Sequence, residues 1–259
     1  MPKISGETTE GIQSVVLALR IMERVAQSQD SIGVTELATA LGSTKSRIYR
    51  HLQTLAQQGY IIQPDRSERY RVGARMKQLG RQVWQNDNLV RAAIQPMRDL
   101  REALGHSCAL GQPEHDGVRI VSTLHGKAPF EVGVKPGTLL DFHSTAQGKL
   151  ALAHMSEEAI DAILNGPLAK STEETITDIS VLKQHLAGIR DQGWATAANQ
   201  SAAGLNALAV PIFDETGEIA GTLAIVDLVQ YLEPKPSMEQ LAQLSKAARQ
   251  ISQAVGFAG

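Results

Sequence analysis

Residues 35–59 read TELATALGSTKSRIYRHLQTLAQQG, and the architecture of the first part of the chain turns on them. Thr35 stands where it can cap a short helix carrying Leu37, Ala38 and Leu41, and Gly42 supplies the stop. Ser43 and Thr44 then offer a fresh cap for a second helix, in which Ile48, Leu52 and Leu55 form an apolar stripe and Gly59 is the terminator. Helix, tight glycine turn, helix is the spacing of a helix-turn-helix. Lys45, Ser46, Arg47, Tyr49, Arg50 and Gln53 avoid the stripe and crowd the first two turns. Those turns enter the major groove in such a motif, where Arg reads guanine bidentately and Ser or Gln reads other base edges. Thr44 and Ser46 lie at the helix N-terminus, which suits phosphate, and Thr35 and Ser43 are counted with them among the expected DNA contacts. For an arbitrary helix a merely solvated polar face is the default; here the preceding turn and the local charge favour DNA.

Outward from this stretch, Val15, Leu19, Met22 and Val25 space as one stripe of an upstream helix, with Ser14 as its cap. Downstream the period changes to two. Tyr60-Ile61-Ile62-Gln63, the turn residues 64–68 (PDRSE) and Arg69-Tyr70-Arg71-Val72 read as a hairpin directly behind the recognition helix, a wing. Arg66, Arg69 and Arg71 would then lie against the phosphate backbone or the minor groove, adding affinity and register. Residues 73–87 read as a helix with Met76, Leu79 and Val83 on one side and Trp84 beside them. So short a helix is marginal alone. A second copy across a dimer axis would cover its stripe, as would docking within the chain.

Charge supports a polyanion partner. Residues 12–82 hold eleven Lys and Arg against five acids, net +6, while residues 83–259 are net −7 and the whole chain is −2. A basic module joined to an acidic remainder is the electrostatic footprint of nucleic-acid binding. The 259 residues suffice for two modest domains, and 42% hydrophobic with 20% charged residues is ordinary for a globular protein. With aromatics at only 4%, the core is left to Ala, Leu, Val and Ile. No apolar run approaches the roughly eighteen residues of a membrane span, and Met1–Glu10 does not read as a secretory signal. The expectation is a soluble, cytoplasmic chain.

From about residue 88 the pattern predicts a helix with Leu89, Ala92, Ala93, Met97, Leu100 and Leu104, then strands over 107–112 and 118–124 with a turn at Asp116-Gly117. A short β-like stretch follows at 130–134, then a Pro136-Gly137 turn and helices over 144–155, 157–164 and 178–191. Strands over 207–213 and 218–226 and a last helix behind Ser237 complete the chain. Strands in runs with helices at the ends and on one face point to an α+β sensor-type sheet.

Catalytic patterns fail when tested. STAQGKLA places Lys149 after Gly148 like a phosphate loop, but His143 stands where the upstream Gly is required and Leu150 where Ser or Thr is. There is no G-x-S-x-G, and the seven His have no metal-ligand spacing. The single Cys, Cys108, excludes an internal disulfide and reads as packing in a buried strand. No catalytic residue, metal or cofactor is expected.

The combined pattern resembles the IclR family of bacterial transcriptional regulators, from about Ile12 to Phe257. The matching runs are ALRIMERVAQSQDSIGVTELATALGSTKSRIYRHLQTLAQQGYI, YRVG, FHSTAQGKLALA and DQGWATAANQSAAGLNALAVPIFDETGEIAGTLAIVD. The resemblance implies a flexible N-terminus over 1–11, a winged helix-turn-helix over 12–73, a linker and dimerisation helix over 74–88, and a GAF-like effector-binding domain over 89–259. It also implies homodimers pairing into dimers of dimers on double-stranded operator DNA. Carried over by position, the effector pocket comprises Thr145, Ala146 and Gln147; Ala197, Asn199 and Gln200; Ala207 and Leu208; and Ala224 with Val226. The helix start at 144–147 offers backbone N–H groups to a carboxylate. Where members carry an acidic DDEE-like stretch, this chain has Ala197-Ala198-Asn199-Gln200, and Ala224 and Val226 replace small hydroxylated residues. The expected pocket is therefore roomy and apolar, suited to a larger, even aromatic, organic acid, with Asn199, Gln200 or His143 as polar contacts.

The leading expectation is an effector-responsive regulator of a catabolic operon. Two alternatives stand beside it: an enzyme acting on the same small acid with an ancillary DNA-binding module, and a sensor whose winged helix contacts only protein.

Overall fold

The computed structural model describes residues 12–28, 31–64, 67–86, 88–129 and 131–258, and for 81–86 the backbone alone. The chain divides into two compact units between Asn86 and Asp87. The stretch 1–11, Arg66 and Phe130 lie outside the described residues, as do the side chains of Val83 and Trp84.

The first unit runs α1 (Gln13–Gln27), β1 (Ile32–Gly33), α2 (Val34–Ala40), α3 (Lys45–Gln57), β2 (Ile61–Ile62), β3 (Arg69–Val72) and α4 (Ala74–Asn86). Two of the expected caps are corrected. The cap residue of α1 is Ile12, so Ser14 lies inside the helix; that of α2 is Gly33, so Thr35 lies in its first turn. Thr44 does cap α3, its hydroxyl accepting the Arg47 N–H at 3.3 Å. Gly42 and Gly59 both adopt positive φ, 58° and 75°, where an L side chain would be strained. The buried row of α1 is Leu17, Ile21 and Val25, while Val15 and Leu19 are 52% and 49% exposed. Two adjacent apolar rows run along this helix, and packing against α3 and β3 selects one. The core joins that row to Leu37, Ile48, Leu52, Ile61 and Tyr70. The wing is a three-stranded antiparallel sheet in the order β1-β3-β2; the two-residue β1, paired through Ile32 to Tyr70, is too short to show in sequence periodicity.

The second unit runs α5 (Asn88–Leu104), β4 (Ser107–Pro113), β5 (Val118–Leu124), β6 (Leu139–Leu140), α6 (Ala146–Ala153), α7 (Glu157–Leu164), α8 (Ile179–Gln192), β7 (Ala195–Thr196), β8 (Leu205–Phe213), β9 (Ile219–Leu228) and α9 (Met238–Ala254). Its six strands form one antiparallel sheet in the order β6-β5-β4-β9-β8-β7. Residues 131–134 are not a strand; Val132 and Val134 instead pack as loop side chains near Ala109 and Ile120, and the edge strand is β6.

Alternation along the strands separates two cores. Cys108, Leu110, Leu208, Val210, Leu223 and Ile225 pack with α5 and α9. Ala109, Ala207, Ala209, Ala224 and Val226 take the opposite face, toward α6 and the loop that carries Val132 and Val134. That face is built largely from alanine, which lets α6 approach closely enough for all eight of its residues to be buried. Gly148 is required at this approach, since a Cβ there would lie 2.1 Å from the Asp141 carbonyl oxygen.

Candidate nucleic-acid interface and effector cavity

On α3, Ile48, Leu52 and Leu55 turn inward, and Lys45, Ser46, Arg47, Tyr49, Arg50 and Gln53 are all exposed. Lys45, Arg47, Arg50 and Arg71 form no ion pair with a described residue, so their charge faces solvent. Thr35 is exposed and Ser43 half-buried, flanking that face. His51 was not anticipated: partial burial first, then the cations of Arg47 and Arg50, hold its imidazole below the ordinary value. The cations spaced along the same helix, Lys45, Arg47 and Arg50, were the available signal.

Arg69 departs from the expectation of a DNA-facing cation. Its guanidinium donates to both oxygens of Glu36 at 2.9 and 3.3 Å, to the Ser31 carbonyl at 2.6 Å and to the Ser31 hydroxyl at 3.0 Å. It ties β3 to the start of α2, with its charge neutralised. Arg71, two residues along on the same exposed face of β3, has no such partner among the described residues.

In the second unit a cavity of about 60 Å³ opens beside the start of α6. Six of the expected residues line it: Thr145, Ala146, Gln147, Ala197, Ala207 and Val226. Ala207 and Val226 are cross-strand neighbours. Val134, Leu140, Ser201, Leu205 and Asn206 also line it and were not anticipated: Val134 and Ser201 lie in loops, Leu140 in the two-residue β6, and Leu205 and Asn206 before the expected start of their strand at 207. No charged side chain is among the lining residues.

Most polar atoms here are already committed. Thr145 Oγ1 donates to the Asp141 carbonyl at 2.8 Å and accepts the Gly148 N–H at 3.0 Å, capping α6. Gln147 Nε2 donates to Thr222 Oγ1 at 3.0 Å and to the Thr222 and Ala109 carbonyls at 3.2 and 3.3 Å. Gly111 makes room for it, since a Cβ there would sit 2.8 Å from that nitrogen. Asn206 Nδ2 donates to the Leu232 and Glu233 carbonyls, and its Oδ1 accepts the Ala197 N–H. The groups left for a ligand are the first-turn amides of Ala146 and Gln147, which no intrahelical carbonyl reaches, and the Ser201 hydroxyl.

The other five expected residues sit elsewhere. Leu208 packs in the α5/α9 core, on the face of β8 opposite Ala207, and does not line the cavity. Ala224 is sealed beneath α6. His143 Nε2 binds the Ala169 carbonyl at 2.8 Å. Asn199 adopts a φ of 58°, and its Oδ1 accepts the Gly204 N–H, closing the turn locally. Gln200 turns to Lys149, which sequence reading considered only as a failed phosphate-loop lysine. Lys149 is fully buried, and its Nζ donates to Gln200 Oε1 at 2.7 Å and to the Thr196 carbonyl at 2.8 Å. Burial alone brings its amine down to about 7. Cys108 is fully buried, which pushes its thiol up to about 12, away from nucleophilic or redox use. No group of three His, Cys, Asp or Glu among the described residues is arranged to hold a metal, and no described helix is long and apolar enough to cross a membrane.

A winged helix-turn-helix with a free cationic recognition face, carried on a chain whose second unit is a GAF-like α+β domain, defines a DNA-binding transcriptional regulator. The model of the IclR helix-turn-helix domain matches residues 14–65 and that of the bacterial transcriptional regulator IclR C-terminal region matches residues 81–253, and the chain belongs to the IclR family. It is 30% identical over 249 residues to the HTH-type transcriptional regulator KdgR of Escherichia coli, covering 96% of this chain and 94% of that one. It is 29% identical over 252 residues to the transcriptional repressor IclR of the same organism, covering 96% and 92%. Among solved structures, the IclR transcriptional regulator from Alicyclobacillus acidocaldarius superposes with a TM-score of 0.83 at 22% identity, covering 94% of this chain and 98% of that one. An IclR homologue from Microbacterium hydrocarbonoxydans complexed with 4-hydroxybenzoate gives 0.82 at 20% identity, covering 93% and 98%.

Proposed function

We propose that this chain is a non-catalytic, cytoplasmic regulator of a catabolic operon whose operator binding is modulated by a small organic acid. The observation that carries the DNA half is the exposed face of Lys45, Arg47, Tyr49, Arg50 and Gln53 on α3, free of internal ion pairs with described residues. In this reading Arg47 and Arg50 contact base edges, Ser43, Thr44 and Ser46 position phosphates, and Arg71 with Arg66 contacts the backbone from the wing. Arg69 is omitted, because Glu36 neutralises it. The boundaries follow as 12–73 for the winged helix, 74–88 for the linker and 89–259 for the effector domain. Leu79 on the linker helix is 46% exposed, which favours pairing with a second copy and, with it, a dimer or dimer of dimers.

For the effector, the amides of Ala146 and Gln147 receive the carboxylate and the apolar lining receives the carbon skeleton. The 4-hydroxybenzoate held by the Microbacterium homologue favours an aromatic acid. About 60 Å³ is room for a few waters, so an acid of that size enters only if a wall of the cavity moves outward. Two experiments test the proposal. The double variant Arg47→Glu/Arg50→Glu should abolish binding to an operator selected from randomised duplexes while leaving the oligomer unchanged; retained binding rejects the recognition-helix assignment. A thermal-shift screen of aliphatic and aromatic acids should give hits that Ala207→Phe, which fills the cavity, eliminates. Hits that survive Ala207→Phe place the effector elsewhere.

A further inference from the structure

The segment that covers Lys149 is the same segment that walls the cavity. Thr196 and Gln200, the two acceptors of its Nζ, flank or adjoin Ala197 and Ser201, which line it. Lys149 lies one helical turn below Thr145 and Ala146, on the same side of α6. From outside, Thr172 Oγ1 and Thr175 Oγ1 hold the carbonyls of Asn199 and Gln200, so the segment is pinned from both sides. We propose that Lys149 is the positioning residue of the effector cavity, a latch that holds the 196–201 wall shut while its amine is neutral and releases it on protonation. The proposal rests on the reading of this cavity as the effector site.

The physical basis is an unmatched cation. Gln200 offers an amide where an ammonium buried this deeply needs a carboxylate, and Lys149 forms no ion pair with a described residue. A neutral amine has two N–H groups, enough for both acceptors, and avoids the cost of a buried charge. Lifting the wall hydrates Nζ, so opening takes up a proton. The titratable groups on elements packed against α6 do not supply the missing charge. On α8, Lys183 pairs with Asp161 and Asp191 is exposed. Arg190 pairs with Glu157 and donates to the Ala153 carbonyl at the end of α6. His185 on the same helix is itself held below its ordinary value, by burial and then by Lys149. Cys108 on β4 belongs to the opposite core, Arg119 on β5 pairs with Glu114, and Asp227 on β9 pairs with His106. The segment 194–213 contains no ionisable side chain at all.

The sign follows from proton linkage. With the wall shut the amine titrates near 7 and with it open near the ordinary 10.5, so the shut state loses ground as pH falls from 10.5 toward 7 and no further below. The test is hydrogen exchange of the full-length free protein, read at the protected amides of Ala197, Asn199 and Gln200 and corrected for intrinsic rates. In the wild type, opening should rise as pH is lowered from 9 to 7, by up to about tenfold per unit, the limit for one proton. Lys149→Met should show no such slope. Gln200→Glu, which supplies a carboxylate, should also remove it while keeping the wall protected; it decides the matter if Lys149→Met does not fold. A flat wild-type profile, or the same slope in Lys149→Met or Gln200→Glu, overturns the latch. The measurement needs neither effector nor DNA, so its failure is separable from failure of the cavity assignment, which Ala207→Phe decides.

Discussion

Two arginines two positions apart on one strand, Arg69 and Arg71, carry the same charge and do different things, and only their neighbours say which. Arg69 is bound by Glu36 and Ser31, so Arg69→Ala should lower the thermal stability of the winged unit and change DNA affinity little. Arg71→Ala should weaken all duplexes alike and reduce the salt slope of binding by about 1. Arg47→Ala or Arg50→Ala should instead cost about 1–3 kcal/mol on the selected operator and relax its sequence preference. Equal losses on selected and random duplexes would exclude base readout by that arginine. His51 adds a pH signature. Burial and the two arginines keep it neutral below the ordinary 6.5 in the free protein. Phosphates would offset the arginines and raise it, so binding takes up a proton and affinity should strengthen as pH falls below about 6.5. His51→Gln should flatten that part of the profile, measured by titration of a labelled operator.

The elements differ in how much of their stability is local. Helix α9 carries a complete capping box, Ser237 accepting the Gln240 N–H while the Gln240 side chain accepts the Ser237 N–H. Ser237→Ala should cost about 1 kcal/mol in denaturant unfolding, an effect legible from residues 237–240 alone. Helix α6 is the reverse. It has no polar face, all eight residues are buried, and its position depends on alanines in strands far along the chain. Gly148→Ala would drive a methyl to within 2.1 Å of the Asp141 carbonyl oxygen, so the backbone must shift; a loss of about 1–3 kcal/mol and a misplaced Thr145 cap are expected. Unfolding at unchanged midpoint would mean that this turn relaxes freely.

For the whole molecule, the family, the helix-turn-helix and the four long strands of the α+β second unit were legible in the sequence, because each rests on local chemistry. The two-residue β6 and β7 were not, and 131–134, within a stretch read as β-like, forms no strand. Gly42 and Gly59 mark turns by backbone freedom, Thr44 by its hydroxyl, and strands such as 118–124 by alternation between turn residues. Half of the candidate effector site was not legible. Position along the chain put Leu208 beside Ala207, whereas the strand period sends them to different cores, and Asn199 and Gln200 look like ligand contacts until Gly204 and Lys149 take them up. Assembly is also a property of the whole. If α4 pairs across a two-fold axis, Leu79→Asp should lower the oligomeric order in sedimentation and weaken operator binding without unfolding either unit. By itself, then, the sequence determined the longer elements, the caps of α3 and α9 and the charged face of α3, since these depend on residues within a turn or two of one another. Only the tertiary structure decided which apolar row of α1 is buried, which arginine of the wing is free and which polar groups face the cavity. Those outcomes are set by competition among partners distant in sequence, and burial makes each buried polar atom accept the nearest partner that satisfies it.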